Sequence, residues 1–230
     1  IALGHALGHT PFGHVGERVL ASLNPAGFRH SEQSLRVVDE LEKDGKGLNL
    51  TFEVRDGIVN HTKSGHPATP EGAAVSLADR IAYINHDIDD AVRAGVIKNE
   101  DIPDRYRQVF DEYHSKRINS MIMDVVDNSF GKDFVSPSDR TKEDIAGLRE
   151  WMFENVYRSP LAKSEEHKAV DMIKYLYEYF YKNFHLIPEE IRNNVGSKEQ
   201  KVCDHISMMS DQYAVRVYED ITIPKSWSKL

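Results

Sequence analysis

The sequence predicts an all-α protein, and three observations carry that reading. Apolar residues recur at helical spacing along nearly the whole chain. Start and stop signals bound those stretches, and no segment sustains the two-residue alternation of a strand. The composition agrees, since 40% hydrophobic and 29% charged residues suit amphipathic helices in a soluble globular protein. No repeat, low-complexity run or linker-like stretch divides the 230 residues. A single domain follows, with a helical-bundle core over 1–130 and a C-terminal helical region over 131–230 packed on it.

The first stretch, His5-Ala-Leu-Gly-His9-Thr-Pro-Phe-Gly-His14-Val-Gly-Glu17, packs three of the eleven histidines and a glutamate among small residues. On a helix, His5 and His9 at i and i+4 share a face. Gly8, Pro11 and Gly13 then break the helix and bring the backbone close to whatever is bound. His14 and Glu17 fall in the turn or at the start of the next helix. Ile1 opens what reads as the middle of a helix. An upstream segment, carrying part of that helix's packing surface, is therefore expected.

A short helix over 17–23 ends at Asn24-Pro25-Ala26-Gly27. Another over 31–41 carries the stripe Leu35, Val37, Val38 and Leu41. Asp44-Gly45-Lys46-Gly47 is a turn, 50–59 a helix and 61–69 a loop. Thr69 as N-cap and Pro70 at the first helical position start a long helix that runs to about Ala94 and stops at Gly95. Further helices cover 103–126, 139–158, 164–184, 188–193 and 198–219. Ile173, Leu176, Tyr177 and Phe180 form a core stripe in that series.

The long helix carries Leu77-Ala-Asp79-Arg80-Ile-Ala-Tyr83-Ile-Asn-His-Asp87-Ile-Asp-Asp90. At about 100° per residue, Tyr83 lies about 40° round from Asp79 and Asp87 about 80°. The three share one broad face, and Ile81, Ile84 and Ile88 can pack inward opposite. An Asp flanked by apolar residues calls for a partner or a metal, because carboxylates are seldom buried alone.

A net charge of -8 argues against nucleic acid as the main partner. No apolar run is long enough to span a bilayer. The single cysteine, Cys203, excludes an internal disulfide and fits a reducing cytoplasm.

Together the two runs resemble the HD-domain phosphohydrolases, and closely the bacterial deoxyguanosinetriphosphate triphosphohydrolase-like family. The matching segments are LGHALGHTPFGHVGE, GFRHSEQSLRVV, LNLTFEVRDGIVNH, LADRIAYINHDIDDAVRAG and VCDHISMMSDQYA, in the family's order across most of the chain. The resemblance implies a single HD-domain helical core. It also implies hydrolysis of a deoxynucleoside triphosphate to the deoxynucleoside and inorganic triphosphate. One divalent metal (Mn, Mg, Fe, Co or Ni) is implied, held by an upstream His, a His-Asp pair and a distant Asp.

Carried over by position, His5 is the His of the pair and Asp79 the distant Asp. His14, Glu17 and His30 match polar residues around the phosphates and the attacking water. Tyr83 and Asp87 match positions that hold the deoxyribose. Arg80 stands where a basic residue can reach a phosphate, with Lys116 and Arg117 as candidates to neutralise the triphosphate tail. The family further implies a homo-oligomer, often a hexamer, with a possible allosteric nucleotide. Tyr106, Tyr113, Met121, Met123, Trp151, Phe153 and Tyr157 are the large residues available for such contacts.

Two departures bear on activity. Ala6 stands where the pattern has Asp, and the upstream His falls in the segment expected before Ile1. An alanine can neither ligate a metal nor polarise a water, so weak metal binding and impaired hydrolysis are expected. The alternatives are a catalytically inactive nucleotide-binding or regulatory subunit, another HD-domain phosphohydrolase, or a helical interaction protein with an incidental His-rich run.

Overall fold

A computed structural model describes residues 1–111 and 113–225, with the side chains of Leu161 and Ala162 outside the description. Among the described residues every regular element is helical. In chain order these are α1 (His14–Leu23), α2 (His30–Arg36), α3 (Glu42–Gly45), α4 (Phe52–Val59), α5 (Pro70–Arg93), α6 (Asp104–Phe110) and α7 (His114–Ser129). They continue with α8 (Asp139–Met152), α9 (Pro160–Lys182), α10 (Glu189–Arg192), α11 (Lys198–Ser207) and α12 (Asp211–Thr222). Wide π-type turns extend α2 through Val37–Leu41 and α8 through Phe153–Tyr157. No described helix is long and apolar enough to cross a membrane.

The long α5 begins and ends where its signals lie. The Thr69 side chain accepts from the Gly72 N–H at 3.1 Å, Pro70 follows, and Gly95 takes φ +70 just past the end. Two expected helices are broken instead. The 103–126 helix stops at Asp111, whose φ of 72 and ψ of 161 are not helical. The Asp111 carboxylate accepts from the Tyr113 N–H at 3.2 Å, a local bond that competes with helix continuation. Glu112, inside that expected helix, lies outside the described residues. The 198–219 helix stops at Ser207 and restarts at Asp211, because Ser210 accepts from the Tyr213 N–H and caps α12.

The described chain falls into two compact units. One joins Ala2–Val59 to Glu166–Leu230, so that both ends of the chain build it. Residues 226–230 of the expected C-terminal region lie outside the described residues. This unit's core holds Val19, Leu20, Ile173, Leu176, Tyr177, Phe180 and Ile206, which includes the stripe read from the sequence. The fully buried Asp204 on α11 accepts from Gln33 Nε2 at 2.8 Å and Arg36 Nε at 2.9 Å, both on α2. Gln200 Nε2 adds a bond at 3.0 Å. A buried carboxylate needs this degree of pairing, and the pairing pins α2, the helix that begins at His30.

The other unit is Asn60–Glu165, with Ile1. Ile81, Ile84 and Ile88 of α5 are 4%, 3% and 0% exposed, so the inward face predicted for that helix is the buried one. They pack with Phe110, Met121, Leu148 and Met152. This partition by compactness differs from the division at residue 130 drawn from the sequence, because α9 to α12 share a core with the first 59 residues.

Candidate active site

Residues 2–8 form successive turns and not the helix expected for His5 and His9. The reason is a set of competing bonds. The Gly8 N–H donates to Ser34 Oγ at 2.9 Å, and that hydroxyl donates to the His5 carbonyl at 2.7 Å. Gly8 is needed for this approach, since a Cβ there would meet the Ser34 backbone nitrogen at 2.2 Å. Phe12 and Gly13 then take φ of 60 and 56, and the Phe12 N–H donates to Asp211 Oδ1 at 3.0 Å. Thr10 Oγ1 donates to the Gly13 carbonyl at 2.8 Å. Gly16 packs on this turn, where a Cβ would lie 2.2 Å from the Pro11 carbonyl oxygen.

That turn delivers His14 to the first position of α1 and Glu17 to the same helix three residues on. Glu17 sits between two imidazoles. His14 Nδ1 lies 3.1 Å from Oε2, and His30 Nδ1 lies 3.0 and 3.1 Å from Oε1 and Oε2. The His30 backbone N–H also donates to Oε1 at 2.9 Å. His9, to which the sequence reading assigns no role, stacks on His30 with ring centroids 4.6 Å apart, and lies 5.8 Å from His14.

Burial pushes the Glu17 carboxyl up, but the hydrogen bonds from His14 and His30 outweigh it and hold the group well below the usual carboxylate range. Burial, followed by the charges of His30 and His14, lowers His9 and favours its neutral form. The carboxylate thus stays charged and orients two imidazoles, the arrangement that proton transfer to a substrate needs.

His9, His14 and His30 each offer a ligand atom, and these atoms lie within 4.8 Å of one another. The metal set that the resemblance implies is not met in this unit. His5 Nδ1 is 2.7 Å from the Ala2 carbonyl, and Ala6 supplies no donor. Asp79 belongs to the other unit, where it is half-buried.

On α5 the structure brings Tyr83 and Asp87 together and adds Tyr157. The Tyr157 hydroxyl donates to Asp87 Oδ2, and Tyr83 hydrogen-bonds to both. Burial, then the Asp87 carboxylate, pushes the Tyr157 hydroxyl far above the ordinary phenol range, and Tyr83 rises for the same reasons. Tyr157 is the last residue of the π-type turn after α8, and such turns recur at functional sites. The sequence marked Tyr157 only as a large residue available for subunit contacts, because its partner Asp87 lies 70 residues away. For His9 the signal was the His-rich run itself.

The basic candidates separate. Arg80 donates Nε to the Ser76 carbonyl at 3.0 Å. Burial lowers its guanidinium, Asp79 opposes that shift and Arg149 adds to it. Lys116 is exposed and pairs with Asp111 at 3.5 Å. Arg117 is only 2% exposed and donates Nε to Asn85 Oδ1 at 2.8 Å, so this arginine is held in the interior of its unit. A cavity of about 190 Å³, lined by Ile191, His205, Met209 and Tyr213 among others, shares no residue with the histidine cluster. Its imidazole packs edge-on against Phe180, and burial pushes His205 down to about 4.

Residues 135–220 match the model of the phosphohydrolase-associated domain. The chain is similar over nearly its whole length to curated deoxyguanosinetriphosphate triphosphohydrolase-like proteins. The one from Caldanaerobacter subterraneus is 50% identical over 229 residues, covering 99% of this chain and 68% of that protein. The one from Clostridium perfringens is 41% identical over 236 residues, covering 98% and 69%. The one from Geobacter sulfurreducens is 31% identical over 279 residues, covering 97% and 72%. With a phosphohydrolase-associated segment on its later helices and this likeness along the rest, the chain belongs to the deoxyguanosinetriphosphate triphosphohydrolase-like family of phosphohydrolases.

Proposed function

We propose that this chain binds deoxynucleoside triphosphates, dGTP among them, and belongs to an enzyme that hydrolyses them to the deoxynucleoside and inorganic triphosphate. The observation that carries this reading is the Glu17 carboxylate shared by His14 and His30. With Nδ1 held by Glu17, His14 turns Nε2 toward a reacting phosphate or water and moves a proton there. His30 contacts a phosphate oxygen. Arg80 and the exposed Lys116 favour the anionic tail, whereas the buried Arg117 supports its unit through Asn85. Tyr83 lies against the sugar and excludes a 2′-hydroxyl, and Asp87 accepts from the 3′-hydroxyl.

A divalent ion would supply a Lewis acid to this chemistry when bound. His5 beside Ala6 is a poor holder for it, so hydrolysis by this sequence is impaired. Ala6 equally favours the second reading, a nucleotide-binding regulatory subunit. Homo-oligomer formation and an allosteric nucleotide belong to the same proposal. Exposed Tyr113, Met123 and Phe153, at 61%, 46% and 45%, are surfaces available for assembly. The activity is expected to be cytoplasmic.

The test is Ala6→Asp, assayed for triphosphate release from dGTP with Mn²⁺. A gain of release over the parent chain supports the enzyme. Tight dGTP binding with no release in either form favours the regulatory reading. Equal binding of dGTP and GTP, unchanged by Tyr83→Ala, removes the sugar assignment.

A further inference from the structure

We propose that the cavity between α10, α11 and α12 binds a single uncharged aromatic ring carrying one hydroxyl or N–H group, held through His205. The inference goes beyond the nucleotide reading and does not depend on it. The cavity shares no residue with the histidine cluster, and its lining lies wholly within the unit of Ala2–Val59 and Glu166–Leu230.

Size sets the class of occupant. An apolar cavity of about 150 Å³ takes up benzene, and this one measures about 190 Å³. One ring with a small substituent therefore fills it. Buried Ile191 and Met209 supply apolar wall, while Met208 and Tyr213 are half-exposed and leave a side open for entry. Methionine thioethers adapt their shape and make favourable contacts with aromatic rings.

Charge narrows the class further. The carboxylate in the lining is that of Glu190, and the described lining contains no lysine or arginine. A phosphate or carboxylate ligand would meet a like charge with no cation to offset it. Anions, nucleotides included, are thus disfavoured.

His205 supplies the specific contact. Its ring packs edge-on against Phe180 at 4.5 Å, and its nitrogens have no hydrogen-bond partner among the described residues. Burial alone lowers this imidazole, so it is neutral, with one N–H donor and one bare nitrogen. A ligand hydroxyl serves either nitrogen, whichever tautomer is present. The amide in the lining is already engaged at both ends. Asn194 Nδ2 donates to the Glu40 carbonyl at 2.6 Å, and Oδ1 accepts from the Val195 N–H at 2.7 Å.

The walls are also held in place without a ligand. The Asn194 bond ties the exit of α10 to the extension of α2, the Asp204 bonds fix α11, and Ser210 caps α12. A site fixed in this way costs little ordering when it is filled. Water there finds few polar partners, so its displacement by a ring is favourable.

The experiment titrates the full chain with phenol and follows the His205 ring and the Met208 and Met209 methyls by NMR. Saturable shifts with a dissociation constant of about 1 mM or tighter are expected. Toluene, which lacks the hydroxyl, should bind about 2- to 10-fold more weakly, and benzoate should not compete. His205→Phe keeps a ring but removes the nitrogens. It should bring phenol down to the toluene level and leave toluene unchanged. Met208→Trp, at an exposed position, should block both. No saturable shift up to about 10 mM phenol overturns the proposal. So does equal binding of phenol and toluene by the parent chain, a preference for benzoate, or shifts confined to His9, His14 and His30. Should His205→Phe fail to fold, the three probes on the parent chain still decide.

Discussion

Glu17 in one unit and Asp87 in the other both accept from two ring side chains, but the donors differ in kind. Glu17 faces imidazoles, whose second ring nitrogen stays available to give or take a proton. Asp87 faces phenols, whose hydroxyls are pushed further from ionisation by burial and by the carboxylate itself. The first arrangement can move a proton during a reaction. The second can only hold a hydrogen bond in place. A carboxylate's chemistry is therefore set by what surrounds it, and the two clusters suit different tasks.

The sharpest way to break this comparison is Glu17→Gln in the Ala6→Asp background. Loss of an acid–base assembly should lower turnover about 10²- to 10⁴-fold, with substrate binding much less affected. The matching Asp87→Asn should instead weaken dGTP binding, by about 1.5–3 kcal/mol if a hydrogen bond to a charged group is lost. If the two variants behave alike, the division between proton handling and sugar holding fails.

A third imidazole sharpens the point, because burial is the sole cause of its shift. His205 falls to about 4 against an ordinary 6.5. A lowered imidazole stabilises the fold above 6.5, and that contribution is lost as pH falls from 6.5 through 4, because the unfolded chain takes up the proton first. The loss is on the order of 3 kcal/mol. Urea melts across this range should show the decline, and His205→Gln should flatten it. An unchanged slope in the variant would place the acid sensitivity elsewhere.

The smallest expected effect is Tyr157→Phe, which deletes one of the two phenols on Asp87. About 1.5 kcal/mol of stability should go, at the low end for a bond to a charged group because the site is only half-buried. The urea midpoint should fall with an unchanged slope. A neutral result would mean that Tyr83 alone satisfies the carboxylate.

The sequence by itself determined the helical class, the bounds of α5 and its buried isoleucine face, because caps and periodicity act within a turn or two of the helix. The nearness of Glu17 to His14 was legible in part, since a spacing of three makes neighbours once both lie on α1, which begins at His14 and not at the Glu17 read from the sequence. Only the tertiary structure decided that both ends of the chain share one core, and that 2–8 trades helix for bonds to Ser34. The stacking of His9 on His30, the reach of Tyr157 to Asp87 and the burial of Arg117 were also settled there. Each of these depends on contacts between residues distant in sequence. Local spacing carries no record of such contacts, because burial and pairing are set by whichever surface the fold brings opposite.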